Sequence, residues 1–83
     1  MISARQVRAA RTLLGWTQET LAEKALVSLT ALKRLESLSG LGTHETTRVQ
    51  VQRSLERAGI VFIESDQGKG VLLVERPELD NSR

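Results

Sequence analysis

The chain has 83 residues, with 12 basic against 10 acidic side chains, one histidine and no cysteine. This length fits a single domain near the lower limit of what folds alone, and the missing thiols exclude disulfide scaffolds, zinc fingers and cysteine nucleophiles. No apolar run approaches the ~20 residues of a membrane span and no signal-peptide stretch follows the first residues, so we expect a cytoplasmic protein without a membrane partner, a metal or a cofactor.

The charge is divided unevenly along the chain. Residues 1–57 hold nine basic and five acidic side chains, a net charge of +4, whereas residues 58–83 hold three basic and five acidic, a net charge of −2. A basic first part favours a polyanionic partner. Many plain helical domains are as uneven, so the charge by itself does not decide the function.

Capping residues predict the first two helices. Ser3 and Gln6 form a capping box that begins the first helix, and Gly15 ends it. Its inward face consists of Val7, Ala10 and Leu14. Thr17 is the N-cap of a second, short helix. The inward face of that helix consists of Leu21, Ala22 and Ala25.

Two further helices are predicted before the pattern changes. Ser28 is the N-cap of a third helix that runs to about residue 37. Its inward residues are Ala31, Leu32 and Leu35. Residues 38–43 contain two glycines and predict a loop. A fourth helix is expected over residues 44–58, and Gly59 ends it.

The last part of the chain has the composition of a β-hairpin. Residues 60–63 and 71–74 are two β-branched-rich runs, which predicts two strands whose connection includes Gly68-Lys69-Gly70. Residues 77–83 predict a frayed tail. The expected fold is mainly α within one domain, and consists of a four-helix unit over residues 1–58, a C-terminal hairpin over residues 59–76 and the tail.

Residues 17–36 carry the most information about function. They predict a short helix, a turn of about three residues and a second short helix, where Ala22 allows close approach and Val27 fills the space under the turn. The second helix then directs outward Leu29, Thr30, Lys33, Arg34 and Ser37. A rigid helix presented in this way fits the major groove of B-DNA, which is ~12 Å wide.

The same region resembles a known family. The run Val7-Arg8-Ala9-Ala10-Arg11-Thr12-Leu13-Leu14-Gly15-Trp16-Thr17-Gln18-Glu19-Thr20-Leu21-Ala22, continued by Val27-Ser28, resembles the XRE family of lambda-repressor/Cro-like helix-turn-helix transcriptional regulators, in particular its small bacterial members. The resemblance covers the first 36 residues. The fourth helix and the hairpin are similar to the end of the same regulators.

The resemblance implies contacts with the DNA backbone and the groove. Gln18 matches the family glutamine that touches a phosphate, and Ser28 matches the cap of the recognition helix, expected at about residues 28–37. Lys33 matches a groove-facing position, and Arg34 a position suited to a backbone contact. The alternative for Lys33 and Arg34 is a plain solvated helix face.

Two leucines, in the turn and at the start of the recognition helix, differ from what the family pattern favours. Leu26 stands where the family usually has glycine; a left-handed leucine there costs about 1–2 kcal/mol, and a remodelled turn is the alternative. Leu29 and Thr30 match the base-reading positions, but Leu29 offers no hydrogen bond. It can pack on a thymine methyl group or mark a helix that meets a protein.

The predicted hairpin suggests a second copy of the chain. Its strands are apolar on consecutive residues, so both faces need cover, and one layer of helices covers only one face. A C2 homodimer would supply the other cover and would bring two recognition helices to half-sites about 34–36 Å apart. The expected interface residues are Ile60, Phe62, Val71 and Leu73. The alternative is a monomer in which the hairpin folds over its own helices.

These observations lead to one hypothesis and one rival. The hypothesis is a sequence-specific regulator of transcription that binds a pseudo-palindromic site on double-stranded DNA as a homodimer. The rival is an antiregulator of the same fold that uses Leu29 and the hairpin to bind a partner transcription factor. An enzyme is not expected, because the sequence offers no histidine–nucleophile pair, carboxylate dyad or cofactor motif.

Overall fold

Four helices precede a two-stranded antiparallel sheet in the computed structural model, which describes residues 2–37 and 44–75. The elements are α1 (Ala4–Leu14), α2 (Gln18–Ala25), α3 (Leu29–Glu36), α4 (Glu45–Arg57), β1 (Ile60–Ser65) and β2 (Gly68–Leu73). This order confirms the predicted mainly α fold with a C-terminal hairpin. The loop predicted at residues 38–43 and the tail predicted at residues 77–83 lie outside the described residues.

Side-chain caps begin the first three helices at the predicted residues. The Oγ of Ser3 accepts a hydrogen bond from the backbone N–H of Gln6 at 3.2 Å, and the Oε1 of Gln6 accepts one from the backbone N–H of Ser3 at 2.9 Å. Thr17 and Ser28 cap α2 and α3 in the same way: the side-chain oxygen of each accepts a hydrogen bond, at 3.0 Å, from the backbone N–H three residues later. Because the first N–H groups of a helix have no partner within it, these caps determine where each helix begins.

The core is built from the inward faces of the four helices and from the start of β1. Its largest fully buried side chains are Leu21, Leu32, Leu35, Leu55, Val7 and Val51. Burial of each such side chain contributes about 1.5–3 kcal/mol to folding. The small residues Ala22 and Ala25 are also buried, which allows α2 to approach its neighbours closely. The inward positions predicted for α2 are therefore confirmed.

A buried carboxylate joins the first three helices. Glu36, at the end of α3, is 3% exposed. Its two oxygens accept hydrogen bonds from Nε and Nη2 of Arg11 on α1, at 2.8 and 2.9 Å, and Nε2 of Gln18 on α2 donates to Oε1 at 3.0 Å. The hydrogen bond to Glu36 raises the pKa of Arg11 above its ordinary value, although burial opposes this. A buried charge is tolerated only when it is paired and hydrogen-bonded, so these contacts hold α1, α2 and α3 in one arrangement.

A second buried polar side chain attaches the hairpin to α1. The Nε2 of Gln6 donates to the backbone oxygens of Ile63, at 3.2 Å, and of Gly70, at 2.9 Å, which lie opposite each other in the two strands. On the inner side of the sheet, Ile60 is buried in the core. Directed hydrogen bonds as well as apolar packing therefore set the position of the hairpin on the helical unit.

The hairpin is longer, and its turn shorter, than predicted. The strands pair from Ile60 opposite Leu73 to Ser65 opposite Gly68, so residues 66–67 alone connect them. The prediction that residues 68–70 form the turn is wrong: they begin β2. Lys69 lies opposite Glu64 within the ladder, with its Nζ 4.0 Å from the Oε2 of that carboxylate.

A glycine is required where α4 passes into β1. Gly59 has a φ of 108°, and a Cβ at this residue would lie 2.8 Å from the backbone oxygen of Val74. The N–H of Val74 donates to the backbone oxygen of Gly59 at 2.8 Å. Only glycine combines this conformation with so close an approach of two backbones.

The turn between α2 and α3 contains the one non-glycine residue with a positive φ among the described residues. Leu26 has a φ of 60° and a ψ of 42°, which is left-handed, and its side chain is 83% exposed. The turn thus keeps the geometry that favours glycine and is not remodelled to relieve the leucine. A strain of about 1–2 kcal/mol follows from this conformation.

We expect Leu26→Gly to raise the free energy of unfolding by about 1 kcal/mol, because glycine adopts the left-handed conformation without this strain. The exposed leucine side chain gives up little buried area. Urea denaturation followed by circular dichroism measures the change. The matched control is Leu13→Gly, at an exposed position inside α1, which should lower the free energy of unfolding by about 1 kcal/mol. A loss of stability in Leu26→Gly would contradict the left-handed turn.

Glu36→Gln should lower the free energy of unfolding by about 3 kcal/mol, because it leaves the guanidinium of Arg11, itself only 20% exposed, without its carboxylate. The control is Glu23→Gln, which removes an exposed carboxylate from α2 and should change the same quantity by no more than about 0.5 kcal/mol. Equal effects of the two substitutions in urea denaturation would show that the buried pair does not stabilise the fold.

Candidate nucleic-acid interface

The outer side of α3 presents a polar stripe. Thr30, Lys33 and Arg34 are exposed, and their spacing of three and four residues places them on one side of the helix. The opposite side is anchored in the core by Leu32, Leu35 and Glu36. Within residues 2–37 and 44–75, the three exposed side chains make no hydrogen bond or ion pair. This helix is fixed from behind and presents in front donors that have no partner among the described residues, which is how a recognition helix enters the major groove.

Ser28 stands at the beginning of α3 and acts as its cap. Its Oγ accepts a hydrogen bond from the backbone N–H of Ala31 at 3.0 Å, so the structure places Ser28 at the cap as the resemblance implies. The positive end of the helix dipole lies here, and it favours a nearby phosphate. A contact between Ser28 and DNA stays a prediction.

Leu29 differs from the prediction that it faces outward. It is half-buried and packs against the core. The reason is its spacing: Leu29 precedes Leu32 by three residues and therefore shares the inward side of the first turn. Only part of the side chain is available to a thymine methyl group or to a partner protein.

Gln18 is the first residue of α2, and its amide group is committed in part to the fold. One N–H of its Nε2 donates to Glu36 at 3.0 Å. An amide nitrogen carries two N–H donors, and the side chain is half-exposed. The second N–H can therefore reach a phosphate while the first keeps the side chain in place. Contact with a phosphate stays a prediction.

The arginines of α1 do not form one basic stripe. Arg5 is exposed and Arg8 half-buried, whereas Arg11 points inward to Glu36 and donates from Nη1 to the backbone oxygen of Trp16 at 3.2 Å. The sequence patterns predicted no role for Glu36. A signal was present, since Glu36 follows Leu32 by four residues and so lies on the inward side of the third helix.

A second basic region lies beside the turn. Lys24, Arg53 and Arg57 line a shallow groove between α2 and α4, next to the exposed Leu26. The Nζ of Lys24 also lies 5.3 Å from the centroid of the Trp16 ring, within the range of a cation–π contact. Trp16 packs against the core.

The hairpin residues predicted for a dimer interface lie on its inner face. Ile60 is buried in the core, and Phe62, Val71 and Leu73 pack against it. The strand alternation places all four on one side, with Ile60 opposite Leu73 and Phe62 opposite Val71. Since this side is covered by the chain's own helices, a second chain would have to meet the other side. The exposed side chains there are Val61, Ile63, Leu72 and Val74.

Metal-binding groups and membrane-spanning helices are both missing from the described residues. In residues 2–37 and 44–75, acidic side chains and histidine nowhere form a group of three that could hold a metal ion. Over the same ranges, every helix is too short or too polar to cross a bilayer.

Comparison with known proteins identifies the helix-turn-helix part of the chain. Residues 7–39 match the helix-turn-helix family model. The match begins within α1 and includes α2, the left-handed turn and α3. Proteins of the matched family have the fold of DNA-binding regulators and are not typically enzymes. A search of the curated proteins finds no match to the chain. The matched segment and its geometry agree with the resemblance found in the sequence: the chain carries a DNA-binding helix-turn-helix unit of the XRE family.

Proposed function

We propose that this chain regulates transcription by sequence-specific binding to double-stranded DNA, and that it acts as a homodimer on a pseudo-palindromic site. The observation that carries the proposal is the arrangement of α3. Its inner side is anchored by Leu32, Leu35 and Glu36, and its outer side presents three exposed polar side chains that are free of partners in the described chain. A two-fold pair of such helices suits two half-sites about one helical turn apart.

The exposed residues divide into two groups by chemistry. Arg34 and Gln18 are suited to phosphate oxygens, which position a protein on the duplex without reading its sequence. Thr30 and Lys33 are suited to base edges, since a hydroxyl pairs with several bases and an ammonium group with the O6 and N7 of guanine. Loss of a residue from the first group should weaken all sequences alike. Loss of a residue from the second should change which sequence is preferred.

The buried ion pair supports DNA binding by two effects. It ties α3 to α1 and α2, so the helix needs no rearrangement before it docks. It also removes a repulsive charge, because the carboxylate of Glu36 is buried and paired with Arg11 and does not face the phosphates. The exposed charges of α3 are then those of Lys33 and Arg34, both of which attract DNA.

A partner transcription factor is the second candidate target. The exposed aliphatic side chains on the outer face of the hairpin favour it, because large exposed apolar groups mark protein contacts. The half-burial of Leu29 weighs against it, since less of that side chain is available than the rival hypothesis needs. We therefore retain DNA as the proposed target.

Selection of genomic fragments with the purified chain, followed by fluorescence anisotropy on the selected duplex and on a random duplex, tests the proposal. Thr30→Ala should shift the sequence preference, and Arg34→Ala should weaken the selected and random duplexes by the same factor. The matched control is Thr12→Ala, at an exposed position on α1, which should bind as the unmodified chain does. With about six phosphate contacts per dimer, the logarithm of affinity should fall with the logarithm of salt at a slope of about −5.

Two results would contradict the proposal. Binding of selected DNA no tighter than random DNA would favour the partner transcription factor instead. Affinity that does not change with salt would exclude the assigned phosphate contacts.

A further inference from the structure

The outer face of the hairpin is apolar although the chain leaves it open. We define this face by the side chains that alternate away from the core, which include Val61, Ile63, Leu72 and Val74, exposed by 45%, 43%, 51% and 39% respectively. An antiparallel sheet with one covered face normally carries polar residues on its other face. Four neighbouring aliphatic side chains on the solvent side instead indicate a surface that another protein molecule covers.

The outer face is also uncharged. In the two strands, the only charged residues are Glu64 and Lys69, which lie opposite each other on the other side of the sheet. The remaining outer positions within the strands are held by Ser65, Gly68 and Gly70. In a two-fold contact, residues close to the axis meet their own copies, so a charge there would meet a like charge. An uncharged face avoids this repulsion and offers no charge for recognition of a charged partner, which favours a second copy of the chain.

Gly70 gives the outer face a recess. It lies opposite Ile63, and a Cβ at this position would meet nothing within 4 Å. Its φ is not in the left-handed region, so the fold of the single chain does not require glycine here. A glycine inside a strand often marks a place where another chain approaches closely. The absent side chain thus leaves open space on the outer face beside Ile63.

We propose that the outer face of the hairpin packs against the same face of a second copy, so that two two-stranded sheets stack around a two-fold axis. The proposal rests on the proposed function, because DNA with two half-sites needs two copies of α3 held at a fixed distance. Sheets packed face to face lie about 10 Å apart, so side chains such as Ile63 can enter the recess at Gly70 of the other copy. Four half-exposed side chains supply less than the ~800 Å² per partner of a standard interface. The contact therefore belongs to the small, weakly associating class of interfaces.

Sedimentation velocity of the full chain without DNA tests this interface. The unmodified chain, measured from about 1 µM to about 1 mM, a range that brackets weak association, should pass from monomer to dimer. Leu72→Glu and Leu72→Lys should each raise the dissociation constant at least about tenfold, because like charges then face each other. An equal mixture of the two variants should recover the dimer as a heterodimer, since their faces carry opposite charges. Gln67→Glu, in the exposed turn of the same hairpin, is the matched control and should dimerise as the unmodified chain does.

Several results would overturn the interface. The first is an unmodified chain that stays monomeric at about 1 mM. The second is a Leu72→Glu variant that still dimerises, which would indicate that the strand edges pair instead of the faces. The third is a mixture of the two Leu72 variants that does not recover the dimer. Circular dichroism and urea denaturation establish that each variant is folded. If either Leu72 variant unfolds, Val61→Glu and Val61→Lys replace the pair, because Val61 lies opposite Leu72 on the same face. Anisotropy on selected DNA with the same samples tests sequence-specific DNA binding separately. A chain that stays monomeric at about 1 mM and still prefers selected DNA overturns the interface but not the sequence-specific binding.

Discussion

The orientation of α3 depends on one buried carboxylate. Apolar contacts alone are not directional, so leucine and alanine constrain the orientation of a helix less strictly than a charged, hydrogen-bonded pair does. Glu36 removes this freedom because its oxygens are met by a guanidinium from α1 and an amide from α2, at distances between 2.8 and 3.0 Å. Planar, charge-assisted pairs of this kind have narrow geometry. The orientation of α3 is thus fixed by its last residue, Glu36, which lies in the core.

Gln6 has the corresponding role for the hairpin. It is buried, and it bonds to backbone oxygens of both strands while its own backbone takes part in the capping box of α1. Since α1 also supplies Arg11 to Glu36, a single helix connects the hairpin to α3 through two sets of hydrogen bonds. On the proposed dimer, this connection has a consequence for DNA binding. The hairpin, α1 and α3 of each copy then form one rigid connection, which fixes the distance between the two α3 helices. The protein should therefore accept only a narrow range of half-site spacings.

Local rules identified most of the helical unit from the sequence. Caps and periodicity depend on residues within one turn of each other, so Ser3, Thr17 and Ser28 are placed correctly by pattern alone. For Leu26 the resemblance left a left-handed residue and a remodelled turn both open, and the structure shows the left-handed one. Outcomes that depend on distant residues were missed: Arg11 and Glu36 are 25 positions apart, and no pattern near Arg11 shows that it turns inward. The hairpin gives an intermediate case, because two apolar faces can be read from consecutive β-branched residues, but which face the helices cover depends on how α4 passes into β1 at Gly59.

A weak interface has a use that a strong one lacks. Where the dissociation constant of the dimer exceeds the concentration of the chain, most copies in solution are monomers, and DNA with two half-sites becomes the place where two copies meet. The duplex then raises the effective concentration of one copy for the other, so contacts of modest area add to the affinity for paired half-sites and contribute nothing on a single one. Because binding of DNA favours the dimer, the dimer favours binding of DNA by the same free energy. If the outer face packs as proposed, its contact strengthens binding only where two half-sites lie together, and so distinguishes a paired site from the many isolated half-sites in a genome.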